Sequence, residues 1–98
     1  MTLHLLWADP SREEIHADCL RALLPGDALV FGGDAVRGLA PALHPCAGLR
    51  AIDARISLHA LASDCAELGI AIPCGVRAAS PADLLALVCA HPRSVSWF

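Results

Sequence analysis

Lysine is absent from the 98 residues, and the arginines form no basic cluster. Seven basic against ten acidic residues leave a formal net charge of −3. A grip on a nucleic-acid backbone needs a concentrated basic surface, so direct nucleic-acid binding is not expected. No apolar run approaches the roughly 20 residues that a membrane-spanning helix requires. The opening Met-Thr-Leu-His-Leu-Leu-Trp carries neither the basic leader nor the cleavage site of a signal peptide. A cytoplasmic protein is therefore expected.

Nucleophile signatures are missing too. There is no Gly-x-Ser-x-Gly elbow and no Cys-x-x-Cys pair. Gly32-Gly33 is not followed by the Gly-Lys-Ser/Thr of a phosphate loop, so the pair reads as a turn and no cofactor is expected. The five cysteines are odd in number and irregularly spaced, which fits reduced thiols better than a disulfide framework. His44-Pro45-Cys46 and Cys89-Ala90-His91 each hold a nitrogen and a sulfur with one residue between them. Zinc sites ordinarily place two to four residues there, and no metal is expected.

What the chain has in quantity is apolar residues, 56% of the total. That is more than a lone domain of this size readily hides, and surplus apolar surface points to a partner or to self-association. The chain is organised around Ala28–Phe31, a continuous apolar run bounded by Gly26-Asp27 and Gly32-Gly33. Such a run reads as a strand buried on both faces. Thr2–Trp7 reads as the first strand. A helix then starts at Asp9-Pro10 or at Ser11, whose spacing to Glu14 forms a capping box. Ile15, Cys19, Ala22 and Leu23 give that helix its inward stripe.

Asp34–Ala40 reads as a short helix, with loop around Pro41, Pro45 and Gly48. Ile56–Leu61 is a third strand containing His59, read as a hydrogen-bonded core or interface histidine, as is His4. A helix capped by Ser63 runs over Ser63–Leu68 to Gly69, and Val76–Ala79 is a short fourth strand. Ser80-Pro81-Ala82-Asp83 opens the last helix with a capping residue, a proline in the first turn and an acid at the third position. Leu84, Leu85, Leu87 and Val88 are expected to face the core, followed by a tail over Arg93–Phe98. The order predicts a single domain over residues 1–98. It is a small three-layer α/β/α domain with a mostly parallel sheet of four or five strands.

Two readings of Cys19 stand side by side. Persulfide chemistry needs an accessible thiolate, and His16 and Arg12 lie one and two helical turns before it. Against this, Cys19 falls on the apolar stripe, where cysteine packs as a small hydrophobe. Cys74, in the loop Pro73-Cys74-Gly75, is the second thiol candidate, whereas Cys65 and Cys89 read as core. Trp7, Trp97 and Phe98 are candidate interface residues, because parallel α/β topology can bring the chain ends together.

Leu3-His4-Leu5, Cys19-Leu20-Arg21, Gly26-Asp27-Ala28-Leu29, Gly33-Asp34-Ala35-Val36, Leu61 to Gly69 around Asp64, and Ser96-Trp97 follow one another nearly end to end. In order and spacing they resemble the TusB/DsrH sulfur-relay family of the DsrEFH-like superfamily. The resemblance implies a subunit without activity alone. It assembles with two similar chains, TusC/DsrF-like and TusD/DsrE-like, into a heterohexamer. That complex passes persulfide sulfur to an acceptor of the TusE/DsrC type. The carrier cysteine looks to lie on the TusD/DsrE-like partner. In the Tus branch the sulfur becomes the 2-thio group of tRNA wobble uridine; in the Dsr branch it serves dissimilatory sulfur oxidation. Cys19 falls where DsrH-like members have a cysteine, which keeps it as a sulfur-carrier candidate. Pro41–Leu49 departs from the family pattern, and Cys46 and Cys74 match no family position. A stand-alone domain binding a small molecule or metal is the competing class.

Overall fold

The structure, a computed structural model, describes residues 1–39 and 52–98. Strand β1 (Thr2–Leu6) leads to helix α1 (Glu13–Ala22) and strand β2 (Ala28–Phe31), after which Gly33–Leu39 forms a 3-10 helix. Then come β3 (Ser57–Leu61), α2 (Ala62–Leu68), β4 (Val76–Ala79), α3 (Pro81–Ala90) and β5 (Arg93–Trp97). All neighbouring strands pair in parallel, in the order β4-β3-β2-β1-β5. The three-layer α/β/α domain expected from the element order is the observed one.

The strand order decides which face each helix covers. Right-handed crossovers place α1, the 3-10 helix and α2 on one face while the chain steps from β1 to β4. Passing from β4 back across the sheet to β5 reverses the step and puts α3 on the other face. Side-chain alternation divides the core accordingly. Leu6, Leu29 and Phe31 join Cys19, Val36, Leu39 and Cys65 under the first group of helices. Leu3, Ala28 and Val30 meet Leu84 and Leu87 of α3 on the second face. β2 is buried at all four positions, as its unbroken apolar run requires.

Several local expectations are corrected. α1 starts at Glu13 with Arg12 as a cap that makes no side-chain hydrogen bond, so the Ser11–Glu14 box does not form. Asp9 instead accepts from the Ser11 amide at 2.9 Å, closing a turn of its own. α2 likewise starts one residue early, with Leu61 at its cap rather than Ser63. The Ser80 box is present as read: the Ser80 hydroxyl accepts from the Asp83 amide at 3.1 Å and the Asp83 carboxylate from the Ser80 amide at 2.9 Å. Arg93–Trp97 is a fifth strand, not a tail, paired with β1 from Thr2↔Arg93 to Leu6↔Trp97.

Candidate functional site

Asp27 precedes β2 and is almost fully buried. Its carboxylate accepts from the amides of Thr2 at 2.8 Å and Leu24 at 3.0 Å, and from His4 Nε2–H at 3.2 Å. Burial alone would push its pKa up, but these donors outweigh it and hold the carboxyl below its usual range. On the other side of the ring, Trp97 Nε1–H donates to His4 Nδ1 at 3.2 Å. An indole N–H only donates, so Nδ1 is the acceptor and the proton of the neutral ring sits on Nε2. The chain Trp97–His4–Asp27 joins β5, β1 and the entry to β2. His4 is the hydrogen-bonded core histidine expected; nothing local in the sequence paired it with residues 23 and 93 positions away.

The carboxyl ends of β1, β2 and β5 converge where the strand order reverses, the usual place for a crevice in open α/β sheets. Here the space is filled. Trp7 donates its amide to the Trp97 carbonyl at 2.9 Å, so the two tryptophans are neighbours along the backbone. Their rings part, however, because alternation turns them to opposite faces. Trp97 packs with the Leu6 and Cys19 core. Trp7 lies over Gly32 so closely that a Cβ there would stand 2.7 Å from its Cε3 and 3.0 Å from Leu61 Cδ1. A single aromatic patch therefore does not form. Beside this point the Gly33 amide, at φ +56°, donates to Asp64 of α2 at 2.8 Å, a tie that sequence spacing did not reveal. Between α1 and the 3-10 helix lies an open cleft of about 540 Å³, bordered by Asp9, Glu13, His16 and Arg37. His16 Nε2–H donates to the Ala8 carbonyl at 2.7 Å, and Arg37 lies 3.6 Å from Asp9. Among the described residues, no thiol lines this cleft.

The thiols separate by exposure. Cys19 is 0% exposed, and burial pushes its thiol up to about 12. A sulfur-carrier thiol needs an accessible thiolate, so Cys19 takes the packing role instead. Cys65 is also buried, and burial first and Asp64 second raise its pKa. Cys89 is exposed on α3, not core as expected, and Cys74 is exposed in its loop. Of the paired nitrogen–sulfur motifs, Cys89 and His91 flank the end of α3, where His91 Nδ1–H donates to the Leu87 carbonyl at 2.8 Å. His44 and Cys46 lie outside the described residues.

The second face has a different character. α3 carries Leu84, Leu85, Leu87 and Val88, and only Leu84 and Leu87 pack on the sheet. Leu85 is 64% and Val88 43% exposed, and no residue of α3 is fully buried. Phe98 is 74% exposed, and Val95 is exposed on the other face of β5, the side of Trp97. A helix apolar all round belongs in an interior. Here its outward stripe, Leu85, Val88 and Cys89, meets solvent and contains no charge.

No known family profile matches the sequence, and no curated protein matches it. Among solved structures, the crystal structure of the ychN protein from E. coli is similar over 98% of this chain and 97% of that one, with a TM-score of 0.80 and 16% identity. At that identity the likeness is one of fold.

Proposed function

We propose that this chain is a non-catalytic subunit of a sulfur-relay complex, a docking element in a heterohexamer with two similar small α/β chains. The observation that carries this reading is the solvent-facing apolar stripe of α3 on a DsrEFH-like fold. Surface of that kind is stable in water when another subunit covers it. Phe98 extends the same requirement to the end of β5, and Val95, beside Trp97, extends it to the other face of that edge strand. Trp7, packed over Gly32, helps to shape the rim.

Relay chemistry moves one sulfur atom without an external oxidant. The acceptor thiolate attacks the sulfane sulfur of a persulfide, the S–S bond breaks, and the donor departs as thiolate. With Cys19 sealed at 0% exposure, that chemistry is assigned to a cysteine on the TusD/DsrE-like partner. The sulfur then passes to an acceptor of the TusE/DsrC type and ends in the 2-thio group of tRNA wobble uridine. This destination rests on the family resemblance of the sequence. Cys74 is the exposed loop thiol that remains as an accessory candidate on this chain.

Native mass spectrometry of the tagged chain, purified from its own cells, tests the assembly. The expected species has the mass of six small subunits and contains two other small α/β chains. A monomer or homodimer overturns the proposal.

A further inference from the structure

β5 is an outer strand of the sheet, and β1 uses its backbone on one side only. The Trp7 amide donates to the Trp97 carbonyl, which turns the backbone groups of Trp97, and by alternation those of Arg93 and Val95, towards β1. The amides and carbonyls of Ser94 and Ser96 therefore face outwards, and they take no partner among the described residues. An open edge of this kind is a template for another strand unless the sequence blocks it. The usual blocks are missing from β5. Its register with β1 runs without a bulge from Arg93 to Trp97, no proline falls inside it, and its one charge, Arg93, stands at the first position. β4, at the other edge, carries its charge inside the strand, as Arg77. The side chains of β5 sort by face. Arg93, Val95 and Trp97 lie on the side of α1, and Ser94 and Ser96 on the side of α3. Val95 is exposed, and Arg93 has no ion-pair partner among the described residues.

We propose that β5 pairs antiparallel with β5 of a second copy of this chain across a two-fold axis at Val95, joining two five-stranded sheets into one. The occupant follows from the pattern of the strand itself. Ser-Val-Ser is symmetric about Val95, so each copy offers the other the same succession of donors and acceptors. Centred there, the pair matches all five strand residues. Ser94 exchanges both backbone hydrogen bonds with Ser96 of the second copy, and Val95 meets Val95 in the closer, non-hydrogen-bonded pairing. Arg93 lies over the Trp97 ring of the second copy, a cation on an aromatic face. Each of these contacts is made twice, and no like charges oppose. A strand of another pattern would gain the backbone bonds without the match of Arg93 to Trp97. The contact stands apart from the sulfur-relay reading, because the isolated chain carries all of it. It is also compatible with a hexamer in which each chain occurs twice.

Sedimentation equilibrium of the isolated chain over a concentration series tests the pairing. A reversible monomer–dimer equilibrium is expected. Val95→Lys and Val95→Glu, at an exposed position, should keep the circular dichroism of the parent. Each should weaken the dimer about tenfold, because like charges then face each other on the axis. Mixing the two variants one to one should restore the dimer, since opposite charges now meet there. A dimer held by α3, or one formed by exchange of β5, gives the two variants no reason to complement each other. Ser96→Pro supplies a second handle. It removes an outward amide that β1 does not use, and should weaken the dimer in the same way. Leu85→Glu with Val88→Glu, on α3, should leave the dimer within about threefold of the parent. A monomer at every concentration, a dimer indifferent to the Val95 and Ser96 variants, a mixture that stays monomeric, or a dimer lost in the α3 variant would each overturn the pairing. None of these results decides the native mass from cells, which tests the relay assembly separately.

Discussion

A thiol enters sulfur transfer as its thiolate, and the protein decides which of its cysteines is free to ionise. Cys19 sits between α1 and the sheet, where burial keeps the proton on sulfur up to about pH 12. Cys74 and Cys89 meet solvent. Maleimide labelling of the native protein at neutral pH, read by peptide mass, should modify Cys74 and Cys89 quickly. Cys19 should react only as fast as the whole fold opens. Labelling of Cys19 at the rate of Cys74 would return it to the list of carriers. At the same scale, His4 shows how a neutral imidazole can be fixed in one tautomer by a donor on one side and a carboxylate on the other.

At the level of elements, the turn after β2 is set by what lies above it. Gly32 is glycine for lack of room beneath the Trp7 ring rather than for an unusual backbone angle. Gly32→Ala should cost about 1–3 kcal/mol in urea denaturation and alter tryptophan emission as Trp7 is displaced. Unchanged stability and emission would mean the ring has another place to go. Elements whose signals are local were legible in the sequence. The apolar run of β2, the Ser80 capping box and the Gly69 stop, with its φ of +67°, each lie within a few residues. The start of α1 was not, because Asp9 spends its carboxylate on the Ser11 amide. Leu85 and Val88 point to water rather than to the core for a reason the sequence does not display. When every side of a helix is apolar, periodicity cannot tell the side on the sheet from the side in water. Arg93–Trp97 reads as a tail in the sequence because Arg-Ser-Val-Ser-Trp is an exposed edge strand with little apolar content. The partners of His4, and the want of any among the described residues for the buried Nε2 of His59, needed tertiary structure, since adjacent strands here come from distant parts of the chain.

For the molecule as a whole, the unequal dressing of the two faces matters most. Among the described residues, three helical segments cover one side of the sheet and a single helix crosses the other. Leu85→Glu with Val88→Glu changes only exposed positions, so the isolated chain should keep its stability within about 1 kcal/mol. Under the proposed function it should drop out of the complex, and 2-thiouridine in cellular tRNA should fall with it. A variant that assembles normally would move the interface elsewhere. One more consequence follows from the strand order. β5, the last strand in sequence, docks beside β1, the first, so its closure waits on the longest loop in the molecule. Until Arg93–Trp97 arrives, the β1 edge is bare, and a second chain can offer the same segment to it. Folding at high concentration thus runs two closures in competition, one within a chain and one between chains, and exchange of the final strand is the misassembly this topology invites.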